Sequence, residues 1–255
     1  MKGLVIAAGR GGRLGSFTEF TPKPLVKVND SCFFENTIKH FHSLGITDIA
    51  AVVGYRKEQF KAIKGVTFFE NNNWENNNIL HSMFSAKNFM DDDIIIAYGD
   101  IWFEEEPIKN MCMNDKDFAI AVDQDWEEYY HGRTEHPISE AENVYYDNNL
   151  LVKDIGKHIH DPKDNAYNTG EFMGLVKISK KIIKNVVNEF NNLELNIKKT
   201  DNFQKSVEFQ NAYLTDFIQY LIGREYDISC CINKQGWYEV DTTQDLENLK
   251  FNLGF

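Results

Sequence analysis

An uninterrupted apolar run at residues 4–8 breaks directly into Gly9-Arg10-Gly11-Gly12-Arg13-Leu14, and a short gap leads on to Thr21-Pro22-Lys23-Pro24-Leu25. A strand without polar alternation is buried on both faces, which calls for a parallel sheet covered by helices. Three glycines in four residues let the backbone turn tightly and bring its N–H groups close to a ligand, as phosphates require. Arg13 and Lys23 add fixed positive charge, and Lys23 sits between two prolines on a stiff stretch of backbone. Two familiar phosphate loops do not fit. A dinucleotide fingerprint needs glycine where Leu14 stands, and a P-loop needs a lysine that Gly15-Ser16 lacks.

The next hundred residues repeat the strand–helix alternation. The spacing of Phe34, Ile38, Phe41 and Leu44 predicts a helix over 33–44, ended by Gly45. Strands are expected at 48–53, 66–69 and 93–97, the last running into Tyr98-Gly99-Asp100, with a helix over 79–89. Further strands are expected at 118–122, 144–146, 150–155, 172–178, 228–232 and 237–240. Helices are expected at 180–190 and 243–253, the latter capped by Thr242 or Thr243. Phe209, Tyr213, Phe217 and Tyr220 fall on one face of a longer helix. The expected fold is α/β, a Rossmann-like three-layer sandwich with a mostly parallel mixed central sheet. No repeat or linker divides the chain, so residues 1–255 read as a single domain. Its first half, to about residue 115, reads as nucleotide-binding, and the remainder as acceptor-binding and metal-completing.

Composition narrows the function. The 255 residues carry 27 Lys+Arg against 39 Asp+Glu, a formal charge of −12, which argues against broad nucleic-acid binding. No apolar run reaches the roughly 18 residues of a bilayer span. Arg10 and Arg13 flank the first apolar segment in the wrong place for a signal peptide, so the expected location is the cytoplasm, with no membrane partner. Cys32, Cys112, Cys230 and Cys231 show no metal spacing and read as reduced thiols, the adjacent pair pointing to opposite faces of a strand. His40-x-His42 falls in a helix where the two rings diverge, and His158-x-His160 lies in a loop without a third ligand. Tyr129, Tyr130, Tyr145 and Tyr146 form adjacent pairs and are expected to pack rather than cage a ligand.

The order A-A-G-x-G-x-R-L followed by T-P-K-P-L resembles the nucleotidyltransferase-like family of sugar-nucleotide pyrophosphorylases and their cytidylyltransferase relatives. Gly12 departs from the family, which usually has Ser or Thr there. The resemblance implies that the loop wraps the β- and γ-phosphates of a nucleoside triphosphate, that Arg13 holds the departing pyrophosphate, and that Lys23 stabilises charge at the α-phosphate. It implies nucleotide-binding roles for Ala8, Gly9, Gly11, Gly12, Gly54, Tyr98 and Gly99, and for amides of the Asn-rich stretch 71–78, among which Asn77 and Asn78 are taken as candidates because they open the next helix. It also implies a Mg²⁺ ion held by Asp100 and Asp241, as two carboxylates can do.

Further along, Asp123-Gln124-Asp125-Trp126, Arg133, Ser139-Glu140-Ala141-Glu142, Ile155-Gly156-Lys157 and Gly170-Glu171-Phe172-Met173-Gly174-Leu175 resemble the small cytidylyltransferases acting on phosphonates, phosphocholine or phosphoglutamine. That branch implies CTP and a small phosphorylated or phosphonate acceptor, with Asp125, Arg133, Lys157 and Glu171 as acceptor-binding candidates. Lys153, Asp123 and Glu142 are further candidates. The competing readings are a sugar-1-phosphate nucleotidylyltransferase using UTP, GTP or dTTP, and a non-catalytic nucleotide-binding regulator. Oligomeric state stays open, a homodimer included.

Overall fold

A computed structural model describes residues 1–159 and 167–255. His160, half of one histidine pair, lies outside the described residues. In chain order the strands begin with β1 (Lys2–Ala7), β2 (Lys27–Val28), β3 (Ser31–Cys32), β4 (Asp48–Val53), β5 (Thr67–Glu70), β6 (Ile94–Tyr98) and β7 (Ile101–Phe103). They continue with β8 (Phe118–Asp123), β9 (Glu142–Tyr146), β10 (Val152–Lys157), β11 (Asn168–Ile178), β12 (Ser229–Asn233) and β13 (Trp237–Glu239). The α-helices are α1 (Phe33–Ser43), α2 (Ile79–Ser85), α3 (Glu105–Met113), α4 (Ile183–Asn196), α5 (Leu214–Gly223) and α6 (Thr243–Asn252).

Nine strands form the central sheet, in the order β10-β9-β11-β6-β1-β4-β5, with β8 and β12 joined through β11. Only β10 and β11 run against the other seven, so the sheet is mixed and mostly parallel. Alternate residues of the buried strands feed two cores. Leu4, Ile6, Val52 and Ile96 pack with α2, α4 and α5, whereas Val5, Ala7, Val53 and Ile95 pack with α1 and α3. Cys230 and Cys231 fall into different cores, as strand alternation requires. These layers make the Rossmann-like α/β fold that the sequence predicts.

Two expectations need correction. The aromatic series from Phe209 is not one helix. Phe209 belongs to a separate turn at Phe209–Asn211, and Tyr213 is extended at the N-cap of α5. The Asp216 carboxylate accepts the Tyr213 N–H at 2.9 Å and starts the helix there. Helix α2 stops at Ser85, with a tighter turn at Lys87–Phe89 following it. The sequence pattern assigns nothing to residues 101–113, where the structure has β7 and α3. The signal for α3 was Glu105-Glu106-Pro107, acidic residues and a proline in a first turn.

The register of the parallel strands positions the site. Ala7 pairs with Val53 and Ile6 with Tyr98, so the segments following β1, β4 and β6 emerge along one edge. Carboxyl ends of parallel strands are where such sheets bind ligands. A small third core then docks the end of the chain on its beginning. Leu14, Val26, Val28 and Phe33 pack against Val240, Leu246 and Leu249.

Candidate active site

The Gly-rich segment turns at Gly11, whose φ of +71° is left-handed and whose Cβ, if present, would lie 2.5 Å from Cβ of Lys23. Glycine is therefore required there both for conformation and for close approach. Gly12 has open space around its Cα, so its departure from the family pattern is not imposed by packing. Gly54 is the second tight position, since a Cβ would meet the Ala8 carbonyl and Trp74 at 2.7 Å.

Beside this loop a buried cation joins three parts of the chain. Lys23 Nζ donates to Asp100 Oδ2 at 3.0 Å and to Asp241 Oδ1 at 2.6 Å, and Arg13 donates to Asp241 Oδ2 at 2.5 Å. Burial alone would lower the Lys23 pKa, but Asp100 and Asp241 outweigh it and raise that pKa above its ordinary value. Burial likewise works against the Asp241 carboxylate, yet Lys23 and the neighbouring cations hold its pKa well below the usual range. Both groups stay charged near neutrality. Asp241 is fixed by α6, where its N–H donates to Asp245 Oδ2 and Thr242 completes a capping box with Asp245.

A cavity opens in front of these groups, lined by Ala8, Gly9, Gly11, Lys23, Asn77, Asn78 and Asp100 together with Trp74 and Ser82. Asn71, 4% exposed, exchanges amide hydrogen bonds with Asn77 at 2.8 and 3.2 Å and donates to Ser82 at 2.9 Å. That network sets how Asn77 faces the cavity. Asn78 caps α2, and its side-chain amide donates to the Asn211 carbonyl. Gly12, Gly54, Tyr98 and Gly99 stand outside this lining. Gly99 is held against β1 by its N–H on the Ile6 carbonyl, and Tyr98 turns its ring to Phe172.

The four acceptor-side candidates do not converge. Lys157 lines a second cavity that shares Asn77 and Asn78 with the first, over the Tyr213 ring and 3.2 Å from Glu140. Arg133 and Glu171 line a third, with Glu239, Trp237 and Tyr238. Arg133 is already committed, its Nε donating to Asp245 at 2.8 Å. Glu171 accepts the Tyr130 hydroxyl at 2.6 Å, and burial followed by the charge of Glu239 pushes its pKa up. Asp125 lines none of the three, its carboxylate lying 3.9 Å from Lys234. Asp123 is structural, accepting the Trp237 indole N–H at 2.9 Å, and Lys153 pairs with Asp147. Trp74 and Glu239, noted in sequence only within the motifs Asn73-Trp74-Glu75 and Trp237-Tyr238-Glu239-Val240-Asp241, line these cavities, and His136, which the sequence reading passes over, lies beside Glu239. Trp74 carries a readable signal in its position within the Asn-rich stretch 71–78, whereas His136 carries none.

The profile of the MobA-like NTP transferase domain matches residues 3–153. The chain belongs to that family. This NTP transferase is 29% identical to the CTP:phosphoglutamine cytidylyltransferase of Campylobacter jejuni, over 97% of this chain and 98% of the relative. It is 37% identical to the choline-phosphate cytidylyltransferase of Streptococcus pneumoniae, over 45% of this chain and 49% of that one. In fold it is similar to the solved CTP:phosphocholine cytidylyltransferase of Streptococcus pneumoniae, with a TM-score of 0.73 at 24% identity over 99% of this chain and 98% of that one. No described helix of the NTP transferase is long and apolar enough to cross a membrane.

Proposed function

We propose that this NTP transferase is a cytidylyltransferase that moves CMP from CTP to a small phosphate or phosphonate acceptor and releases pyrophosphate. The observation that carries the reading is Lys23 held between Asp100 and Asp241 at the mouth of a Gly-rich cavity. Relatives with cytidylyltransferase names, one of them matched along nearly its whole length, support the choice of CTP.

In this reading an acceptor phosphate oxygen forms a new bond to the α-phosphorus as the bond to pyrophosphate breaks. Such transfers depend on positioning and on charge stabilisation more than on covalent chemistry. Lys23 offsets negative charge growing on the α-phosphate, while Arg13 and the N–H groups of the loop at Ala8, Gly9, Gly11 and Gly12 hold the leaving group. Asn77, oriented by Asn71, and Asn78 present amides able to match a cytosine edge. Lys157 serves the acceptor phosphate, because its cavity adjoins the nucleotide's whereas Arg133 is taken by Asp245.

Asp100 and Asp241 converge on a buried positive charge in this structure, and their hard oxygen donors suit Mg²⁺. They would hold the ion, which when bound withdraws charge from the phosphate oxygens.

The test is pyrophosphate release with Mg²⁺, crossing CTP, UTP, GTP, ATP and dTTP with 2-aminoethylphosphonate, phosphocholine, phosphoglutamine and glucose-1-phosphate. Release with CTP and one small acceptor is the expected result. Release only with the sugar phosphate would overturn it in favour of a sugar-1-phosphate enzyme. CTP binding without release across the panel would favour a regulator.

A further inference from the structure

We infer that the acceptor carries a primary ammonium group, held by Glu142 and the Tyr98 hydroxyl while Lys157 takes its phosphate. The inference rests on the proposed function and names the acceptor's class. Glu142 opens β9 opposite Lys157 of β10, and it alternates with Val144 and Tyr146, which face the core under α5. Its Oε1 accepts the hydroxyl of Thr215 on α5 at 3.1 Å, leaving Oε2 for another donor. On the same face, Tyr98 packs its ring against Phe172, and its buried hydroxyl has no hydrogen-bond partner among the described residues. Burial and then the charge of Glu142 push the Tyr98 pKa up, so Glu142 is the charge that this hydroxyl feels most. A buried polar group without a partner is costly, and a ligand with N–H donors beside Glu142 supplies one.

Charge balance in the Lys157 cavity requires a cation on the acceptor. Lys205 is paired with Asp154 at 3.0 Å, so it is not free to serve a phosphate. Asp216 is spent on the Ser206 hydroxyl and the Tyr213 N–H, and Glu208 on the amides of Gln210 and Asn211. Glu140 and Glu142 remain, and both draw on Lys157. When a phosphate takes Lys157, the two carboxylates lose that cation and face a new anion, unless the acceptor brings positive charge of its own. The form of that charge follows from the walls. A quaternary ammonium is held on aromatic faces. Tyr213 is the one tyrosine, phenylalanine or tryptophan in the described lining, and Lys157 already lies over its ring at 5.4 Å. Glu142 and Tyr98 offer oxygens instead, which suit N–H donors and gain nothing from methyl groups.

The test compares phosphoethanolamine, phosphocholine and ethyl phosphate. The first two differ only in N-methylation, and the third lacks the amine. Their Kd values are measured on the full chain by calorimetry, with Mg²⁺ and the α,β-methylene analogue of CTP, so that binding is read without turnover. Phosphoethanolamine should bind more tightly than either of the others by about tenfold or more, the scale of one charge-assisted hydrogen bond. Glu142→Gln should bring it to the level of ethyl phosphate, and Tyr98→Phe, which removes only the hydroxyl, should narrow the gap. Thermal denaturation identifies a variant that fails to fold, and the other variant then carries the test. Equal binding of phosphocholine or ethyl phosphate overturns the inference, as does a preference that survives in the folded variants. Absence of binding by all three overturns it as well. Pyrophosphate release with CTP itself is measured alongside. Release without the preference removes the ammonium site and leaves CMP transfer standing, whereas the preference without release removes the proposed activity and leaves the site.

Discussion

Lys23 shows how one side chain can serve packing and charge pairing at once. It is 2% exposed, its stem fills the space left by the missing Cβ of Gly11, and its ammonium joins Asp100 to Asp241. Lys23→Ala should cut pyrophosphate release by about 10²–10³, the scale of removing one preorganised donor. Steady-state turnover measured beside circular dichroism checks this, and near-normal turnover in a folded variant would sink the role given to Lys23. Glu142 offers a test in the opposite direction. Burial, then the charge of Glu239, outweighs Lys157 and the Thr215 hydroxyl and pushes its carboxyl up to about 7 from 4.5. A carboxyl with a raised folded pKa holds its proton more tightly when folded. Its contribution is therefore present at low pH and is lost as pH rises from about 4.5 through 7. Glu142→Gln should remove that loss, so the wild-type Tm should fall relative to the variant between about pH 5 and pH 8. A Tm difference that does not change with pH would contradict it.

Among the elements, α6 links stability most directly to the site. Thr242 accepts the Asp245 N–H at 3.2 Å, while Asp245 Oδ2 accepts the N–H groups of Asp241 and Thr242. The cap that starts the helix therefore also fixes the backbone of the carboxylate beside Lys23. Thr242→Ala should cost about 1 kcal/mol and lower Tm by about 2–4 °C. If the cap positions Asp241, kcat should fall as well. A lower Tm with unchanged kcat would restrict the cap to stability. A threonine cap was legible in the sequence, as Thr242 or Thr243, and the structure puts it at Thr242 with Asp245 completing the box. The start of α5 was not, because aromatic spacing continues across the extended Tyr213 as though the helix did.

For the whole molecule, ligand binding should report on both ends of the chain together. The cavity in front of Lys23 is lined by the segments after β1 and β6 and by residues 74–82, while Asp241 arrives from 218 residues beyond Lys23. CTP with Mg²⁺ at about 100 times its Kd should stabilise the fold by about 2.7 kcal/mol. The shift in Tm should be larger with CTP than with UTP, GTP or ATP. Equal shifts for all four would remove the base selectivity assigned to Asn77 and Asn78. We propose the division into a nucleotide-binding half, to about residue 115, and an acceptor-binding half at this scale too, with β11 joining them across the sheet.

The sequence by itself determined the layers and the first loop. Burial on two faces writes itself as unbroken apolar runs, and a tight phosphate-sized turn writes itself as glycines beside fixed cations. Lys23 could be read as a fixed cation between two prolines beside the Gly-rich segment, and Asp100 and Asp241 only through the resemblance. Tertiary structure alone decided that Arg133 is spent on Asp245 and Glu171 on Tyr130. It also decided that His136 lies buried against Glu239 and Asp241, about a hundred residues away. The physical reason is that charge pairing and burial depend on distance in space. The chain records only the spacing along itself, and the small core between the Gly-rich segment and α6 is what converts one into the other.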